Sequence, residues 1–232
     1  MSKQKALSGA FFIFLKNDII HSMQVIPTIN SKSFKKIKEK IELIETQTDS
    51  SWVQIDVADG TFTKNTIWHN ASNLLTLETK LNIEVHLMIS DIEKRIEDWL
   101  IEPVKRIIFH LETAKDPHFV IQKCKKANKE VGIAIGPDTS WTQLMPFCDK
   151  VNLFQILSVR PGSAGQKFQE ESLEKIMSLR SNCPSAIIEV DGGVDDGVAK
   201  KVEEAGADIV AVASYIFNAK DVGKAIEELE AI

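Results

Sequence analysis

Three polar residues in this sequence have the types and the placement that acid–base chemistry needs. Asp56 ends an apolar segment at 52–56, Asp191 precedes two glycines, and His86 lies in an apolar run between them. Two carboxylates that face each other across a substrate can remove a proton on one side and deliver one on the other. An imidazole beside carboxylates also suits a divalent metal ion, although this spacing matches no local metal motif. A strand hydrogen bond for Asp56 and a turn for Asp191 are the alternatives when each residue is taken alone.

A second group of small residues predicts a phosphate site. Gly162 and Gly165 follow one apolar run, Gly192 and Gly193 follow the next, and Ser214 follows a third. Glycines let backbone N–H groups approach an anion closely. Tight turns are the alternative use of these glycines, but three such loops on neighbouring elements favour a phosphate. The sequence has no Walker motif and no GxGxxG, so it does not indicate a nucleotide site.

The elements that must position these residues alternate along the chain. Short apolar runs with β-branched residues alternate with longer segments of helical periodicity. The sequence predicts eight strands at 24–28, 52–56, 84–87, 106–110, 132–135, 152–157, 187–190 and 209–213. It predicts eight helical segments at 33–45, 70–79, 92–100, 117–127, 141–147, 170–180, 195–205 and 222–229. Ser140 and Asp195 are expected N-caps, and Gly206 is expected to end a helix.

Eight strand–helix pairs predict an α/β protein with a single (β/α)8 TIM barrel over residues 23–232. This alternation implies parallel strands joined by right-handed crossovers. Such barrels need roughly 200–250 residues, and their active sites lie at the C-terminal ends of the strands. A doubly wound open sheet is the alternative. It would more naturally carry glycines after the first strand, and residues 26–31 contain none.

Composition argues against several classes of protein. The 232 residues include 28 basic and 33 acidic ones, a formal net charge of −5, whereas nucleic-acid-binding domains are usually strongly basic. Cys124, Cys148 and Cys183 are widely spaced, odd in number and without a CxxC pair. We therefore expect reduced thiols and a cytoplasmic protein rather than a disulfide framework or a structural zinc site.

Residues 1–22 differ in character from the rest of the sequence. Lys3 and Lys5 precede an apolar run at 10–15, which superficially resembles an export signal. The run is too short to span a bilayer, and no small-residue cleavage site follows it. We expect an N-terminal extension of doubtful function, or a start codon assigned upstream of Met23, rather than a signal peptide.

Taken in order, these motifs resemble the ribulose-phosphate 3-epimerase family. The resemblance runs from about Met23 to the C-terminus. It rests on the motifs DVADG at 56–60 with Phe62 and Asn65, VHLM at 85–88, SVRPG at 158–162 with Gly165 and Gln166, and EVDGG at 189–193. It implies a (β/α)8 barrel that interconverts D-ribulose 5-phosphate and D-xylulose 5-phosphate in the pentose phosphate pathway.

The resemblance also implies a role for each site residue. Asp56 and Asp191 match the two aspartates that move the C3 proton through an enediolate. Asp56, His86 and Asp191 match three ligands of a divalent ion, which is zinc, iron, manganese or cobalt in this family. Contacts to the sugar phosphate are implied for Thr28, His86, Met88, Gly162, Ser163, Ala164, Gly165, Gly192, Gly193, Ala213 and Ser214.

Several positions depart from the family pattern. Gln54 stands where the family has a fourth, histidine ligand, and a glutamine carbonyl is a poor ligand for zinc or iron. We therefore expect a weakened metal site. Thr28 replaces a serine and keeps its hydroxyl. Ala58 and Leu157 replace methionines, while Ala164 and Ala213 replace glycines, which matters where the backbone needs a positive φ.

Three functions remain open at this point. The first is the C3 epimerisation of a pentulose 5-phosphate with a weakened or different metal. The second is epimerisation or isomerisation of another sugar phosphate, with or without metal. The third is a phosphosugar-binding barrel that has lost catalysis. The expected partners are a small sugar phosphate and further copies of the same chain (a homo-oligomer), with no nucleic acid and no membrane.

Overall fold

Eight parallel strands close into a barrel in sequence order, with β8 paired to β1. This computed structural model describes residues 23–151, 153–162 and 165–232, so the expected extension at 1–22 lies outside the described residues. The strands are β1 Gln24–Ile29, β2 Trp52–Val57, β3 Asn82–Leu87, β4 Val104–His110, β5 Glu130–Ile135, β6 Leu153–Leu157, β7 Ile187–Asp191 and β8 Ile209–Val212. The predicted (β/α)8 barrel is confirmed, and the predicted strands are the observed ones to within two residues at each end.

Helical segments cover the outside of the barrel. The α-helices are α1 Phe34–Gln47, α2 Ile92–Trp99, α3 Pro117–Lys126, α4 Ser172–Asn182, α5 Asp196–Ala205, α6 Ser214–Phe217 and α7 Val222–Glu230. The segments Ala71–Thr76, Leu111–Thr113 and Trp141–Phe147 are 3-10 helices. Helix α6 and Leu111–Thr113 were not predicted, because segments this short carry no measurable periodicity. No helix in the described ranges combines the length and the apolar character needed to cross a membrane.

The predicted helix ends are confirmed by their capping contacts. The Asp195 side chain accepts a hydrogen bond from the backbone N–H of Val198, and Ser140 accepts one from Thr142. Gly206 ends α5 with a φ of +104°, a conformation in which a Cβ would be strained. These caps satisfy backbone groups that helix ends leave unpaired, and so fix where the loops begin.

Two kinds of packing stabilise the barrel. Buried aliphatic and aromatic side chains fill the layer between strands and helices, and Trp68 and Trp99 pack edge to face within it. A smaller apolar cluster, formed by Ile26, Ile108, Ala134, Leu153 and Ile209, is separate from that layer. Side chains alternate along a strand, so these residues share the inward face with the polar residues nearer the strand ends. The barrel interior therefore holds both apolar and polar side chains.

The expectation of three reduced cysteines is wrong for two of them. Cys148 and Cys183 form a disulfide with their Cα atoms 5.5 Å apart, and Cys124 is free and buried. Cys148 directly follows the 3-10 helix Trp141–Phe147, and Cys183 follows α4. These two segments lie side by side on the barrel. The pair is 35 residues apart in sequence, so no local spacing could indicate it.

The interior cluster predicts a large stability effect at Ile108, whose side chain is fully buried. Ile108→Ala leaves a cavity that closed strands cannot collapse, and we expect the free energy of unfolding to fall by about 2–5 kcal/mol. Leu75 is 65% exposed, and Leu75→Ala is the matched control with an expected change within about 0.5 kcal/mol. Urea unfolding of both variants measures the difference, and equal effects would contradict the interior packing.

Candidate active site

A cavity opens where the C-terminal ends of the strands meet. Ten predicted site residues line it: Asp56, His86, Met88, Gly162, Gly165, Asp191, Gly192, Gly193, Ala213 and Ser214. Thr28 and Gln54 are almost fully buried and are not among its lining residues. Ser163 and Ala164 lie outside the described residues. Barrel closure therefore gathers most of the predicted site, from strands far apart in sequence, around one opening.

At the floor of the cavity, two carboxylates face one imidazole nitrogen. His86 Nδ1 lies 3.3 Å from Asp56 Oδ1 and 3.2 Å from Asp191 Oδ2. Asp56 and His86 are paired neighbours on β2 and β3, whereas Asp191 reaches the group from β7. The nearest ligand atoms of the three residues all lie within 4.8 Å of one another. This arrangement concentrates negative charge at one buried point.

The orientation of the His86 ring follows from its other nitrogen. His86 Nε2 lies 2.9 Å from His110 Nε2, and His110 Nδ1 lies 3.1 Å from Glu112 Oε2. Since a carboxylate accepts, His110 donates its Nδ1–H to Glu112, and its Nε2 accepts from His86. Glu112 is held in turn by the backbone N–H of Gly136 at 2.7 Å. His86 therefore presents Nδ1 to the two aspartates.

Burial and neighbouring charges shift the pKa values of this group. Burial lowers the pKa of His86, but Asp191 and Asp56 outweigh it and raise the pKa to about 10. Burial raises the pKa of Asp191, and the charge of Asp56 raises it further. Burial lowers the pKa of His110. Despite its burial, Glu112 has its pKa lowered to about 2, chiefly by His110. Without another cation, an imidazolium at His86 balances the two carboxyl groups.

The glycine loops form one corner of the cavity in tight contact with neighbouring segments. A Cβ on Gly162, which has a φ of +116°, would lie 2.1 Å from Asn65 Oδ1, and Asn65 donates to the Gly162 carbonyl at 2.7 Å. A Cβ on Gly193, with a φ of +69°, would lie 2.3 Å from the backbone N of Phe168. Ala213 has a φ of −102°, so an alanine is unstrained where the family has a glycine.

Comparison with known proteins agrees with this geometry. A sequence profile described as the Ribulose-phosphate 3 epimerase family matches residues 24–217. The chain belongs to the ribulose-phosphate 3-epimerase family. The chloroplastic ribulose-5-phosphate-3-epimerase of Arabidopsis thaliana is 35% identical over 225 residues, 94% of this chain and 78% of that protein. The ribulose-phosphate 3-epimerase of Helicobacter pylori strain J99 is 32% identical over 90% of this chain and 97% of its own length.

Solved structures support the fold alone. The 3-hexulose-6-phosphate synthase of Salmonella typhimurium superposes with a TM-score of 0.67 at 15% identity, over 90% of this chain and 97% of that chain. Orotidine 5'-phosphate decarboxylase from Pyrococcus horikoshii OT3 superposes with a TM-score of 0.60, also at 15% identity, over 89% and 97%. Identities this low carry no statement about the substrate.

The residues present fit the divalent ion that the epimerase family implies. His86 Nδ1 is fully buried, and within the described part of the chain it has no partner with hydrogen-bond geometry. Its lone pair lies between the oxygens of Asp56 and Asp191, where one cation can be shared by all three residues. Imidazole and carboxylate donors suit zinc, iron, manganese and cobalt. The three residues can therefore hold a divalent ion.

Gln54 stands at the fourth ligand position of the family and presents its nitrogen there. Its Nε2 lies 2.9 Å from Asp191 Oδ2, 3.1 Å from Asp56 Oδ1 and 3.4 Å from the Thr28 hydroxyl. An amide N–H group donates hydrogen bonds and cannot coordinate a cation. In the orientation observed, Gln54 therefore stabilises the carboxylates without adding a ligand. Thr28 lies behind this amide rather than on the cavity wall.

A layer of buried amides and carboxyl groups lies beneath Gln54. Gln155 Nε2 donates to Gln54 Oε1 at 2.8 Å and to Glu189 Oε1 at 2.7 Å. Arg106 donates to Glu84 at 2.8 Å. Burial raises the pKa of Glu84 to about 7 despite Arg106, and burial together with the charge of Glu84 raises the pKa of Glu189 well above its ordinary value. Burial and like charge thus make negative charge on these two carboxyl groups costly, and Arg106 and Gln155 offset part of that cost.

Sequence reasoning missed two contacts of the aspartate–histidine group. Asn30, just after β1, donates to Asp56 Oδ2 at 2.9 Å and lines the cavity. His110, which ends β4, holds His86, and the sequence analysis did not single it out. The position of His110 at a strand end was the available signal. Asn30 directly follows the end of β1 and so carried the same positional signal, but only barrel closure shows that its partner is Asp56.

The phosphate corner yields a prediction at Gly193. In Gly193→Ala, the new Cβ meets the backbone of Phe168, so one of the two loops must move. We expect KM for a pentulose 5-phosphate to rise at least ~10-fold, a loss of ~1.4 kcal/mol of binding free energy. Gly197→Ala is the matched control, because its Cβ would have no atom nearer than 3.5 Å. Steady-state kinetics measure both variants, and an unchanged KM in Gly193→Ala would remove this corner from the substrate site.

Proposed function

We propose that this chain epimerises a pentulose 5-phosphate at C3, interconverting D-ribulose 5-phosphate and D-xylulose 5-phosphate. Membership of the epimerase family and relatives that carry this name support the reaction. The observation that carries the proposal is the pair of buried carboxylates, Asp56 and Asp191, that meet at His86 at the barrel mouth. An acid–base pair on two sides of one opening is what inversion at a carbon requires.

The two aspartates exchange the roles of base and acid. In one direction Asp56 accepts the proton from C3, and the electrons of the C–H bond form the double bond of an enediolate. Asp191 then delivers its proton to the opposite face of C3, which forms the new C–H bond. In the reverse direction Asp191 is the base. Asn30 and Gln54 orient Asp56 through one hydrogen bond to each of its oxygens.

A positive charge beside the reacting carbon is the second requirement. Asp56, His86 and Asp191 would hold a divalent ion, and when bound such an ion supplies Lewis-acid stabilisation of the developing oxyanion charge. His110 and Glu112 keep the His86 ring in the orientation that this role needs. Burial of the site strengthens each of these electrostatic interactions.

The phosphate end of the substrate requires no basic side chain in this proposal. Backbone N–H groups of the loops around Gly162, Gly192 and Gly193, with Ser214, would hold the anion. This arrangement is compatible with a chain whose formal net charge is −5. We include in the proposal a cytoplasmic location and assembly into a homo-oligomer. Light scattering on the purified chain tests the oligomeric state directly.

The acid–base assignment predicts the loss of proton exchange in two variants. Asp56→Asn and Asp191→Asn keep the side-chain size but remove the proton acceptor, and we expect kcat to fall by ~10²–10⁴-fold in each. Exchange of solvent deuterium into C3 of the sugar phosphate is the direct measurement. Asp149→Asn, on a side chain 76% exposed, is the control and should exchange normally. Unchanged exchange in both site variants would refute the assignment, and binding without exchange in the wild type would favour a non-catalytic phosphosugar barrel.

Metal dependence is a separate prediction. We expect protein purified without chelator to contain a divalent ion and to lose most of its epimerase activity in EDTA. Readdition of Zn²⁺, Mn²⁺, Fe²⁺ or Co²⁺ should restore that activity. Elemental analysis and the assay with D-ribulose 5-phosphate measure this. Metal-free protein with full activity in EDTA would instead support a metal-independent epimerase that relies on the donors of His86 and Gln54.

A further inference from the structure

Gln155, on β6, contacts no part of the cavity, yet it holds the residue at the fourth ligand position. We infer that Gln155 is a positioning residue: it fixes the orientation of the Gln54 amide and thereby sets how tightly the centre binds a divalent ion. This inference deepens the proposed function and rests on the ion site at Asp56, His86 and Asp191. It concerns two residues, Gln54 and Gln155, whose contacts follow from their place inside the barrel.

The orientation of Gln54 decides what the fourth position offers an ion. Its Nε2 lies 3.1 Å from Asp56 Oδ1 and 2.9 Å from Asp191 Oδ2, the same two oxygens that face His86 Nδ1. In this orientation the amide directs hydrogens at the point where an ion would be shared. Only the carbonyl oxygen, Oε1, can act as a ligand. A turn of the amide by 180° would bring that oxygen to the ion.

Gln155 opposes this turn. Its Nε2 donates to Gln54 Oε1 at 2.8 Å and to Glu189 Oε1 at 2.7 Å, so both of its hydrogens have acceptors. The side chains of Gln54, Gln155 and Glu189 are all fully buried. If Gln54 turned alone, its NH₂ group would face the NH₂ group of Gln155, and two buried donors would oppose each other.

Gln155 is itself held in place by Glu189. A turn of the Gln155 amide would bring its Oε1 to the Glu189 oxygen that now accepts from Nε2, and would break that hydrogen bond. The three side chains therefore form one directional chain, from Glu189 through Gln155 to Gln54, that ends on the two aspartates. Loss of Gln155, the middle residue, should therefore free the Gln54 amide to turn.

The test is the affinity of the full chain for Co²⁺ after removal of endogenous metal with a chelator. Gln155→Met keeps the volume but donates no hydrogen bond, so Gln54 can turn and offer Oε1. We expect the dissociation constant for Co²⁺ to fall ~10-fold, because a ligand oxygen is gained. Loss of a residue behind the ligands ordinarily changes affinity by a similar factor in the opposite direction. The visible absorption spectrum of bound Co²⁺ should change as an oxygen ligand is added.

A double-mutant cycle separates this role from a general effect on the barrel. Gln54→Leu removes the amide, and in that background Gln155→Met should leave Co²⁺ affinity unchanged. Gln155→Leu is the second variant if Gln155→Met folds poorly, as judged by its thermal unfolding midpoint. Unchanged or weaker Co²⁺ binding in the folded variant overturns the inference, as does an equal gain in the Gln54→Leu background.

The outcome does not depend on epimerase activity, because Co²⁺ titration needs no substrate. If Gln155→Met gains Co²⁺ affinity but the wild-type protein shows no exchange at C3, the proposed function is refuted and this inference stays intact. If the wild-type protein epimerises the substrate but the wild type and Gln155→Met bind Co²⁺ equally tightly, this inference alone is refuted.

Discussion

Two buried carboxyl groups that meet at one point are the constraint on which the rest of this site depends. Asp56 and Asp191 come within 3.3 Å and 3.2 Å of the same nitrogen of His86, where burial leaves their charges poorly solvated. Buried charge needs a partner, a hydrogen-bond donor or a proton. Positive charge from His86 or a divalent ion and N–H groups from Asn30 and Gln54 meet this need.

Hydrogen bonds connect the aspartates and His86 to further buried side chains in two directions. Towards β4, His86 is held by His110 and His110 by Glu112, which fixes the ring that faces the aspartates. Towards β6, Gln54 is held by Gln155, which leads into the carboxyl groups of the barrel interior. The group of Asp56, His86 and Asp191 is therefore one end of a buried polar layer rather than an isolated group on an apolar floor. The apolar side chains interleaved with that layer supply the stability that such a polar interior does not.

In the proposed function, anion binding and proton transfer rely on different chemistry. The aspartates and His86 lie on the strands, where the closed sheet holds them rigidly. The glycine corner lies on loops, where Gly193 can approach Phe168 because it has no Cβ. In the proposed function, backbone N–H groups hold the phosphate, while Arg160, which lines this cavity, is paired with Asp138.

Much of this molecule could be predicted from the sequence, because its strongest patterns are local. Apolar alternation located all eight strands, and the strand ends placed Asp56, His86 and Asp191 at one mouth. The motif order identified the family. Helix α6 and the contacts of Asn30 had no local pattern, and the disulfide between Cys148 and Cys183 had none either.

The tertiary structure alone decided which atom of each side chain faces which neighbour. The sequence could place Gln54 at the fourth ligand position, but it could not tell whether the amide offers nitrogen or oxygen there. That choice depends on Gln155, which is 101 residues away and becomes a neighbour only when the barrel closes. Residue types and their periodicity are local properties of a chain, whereas the direction of a hydrogen bond is set by packing between distant strands.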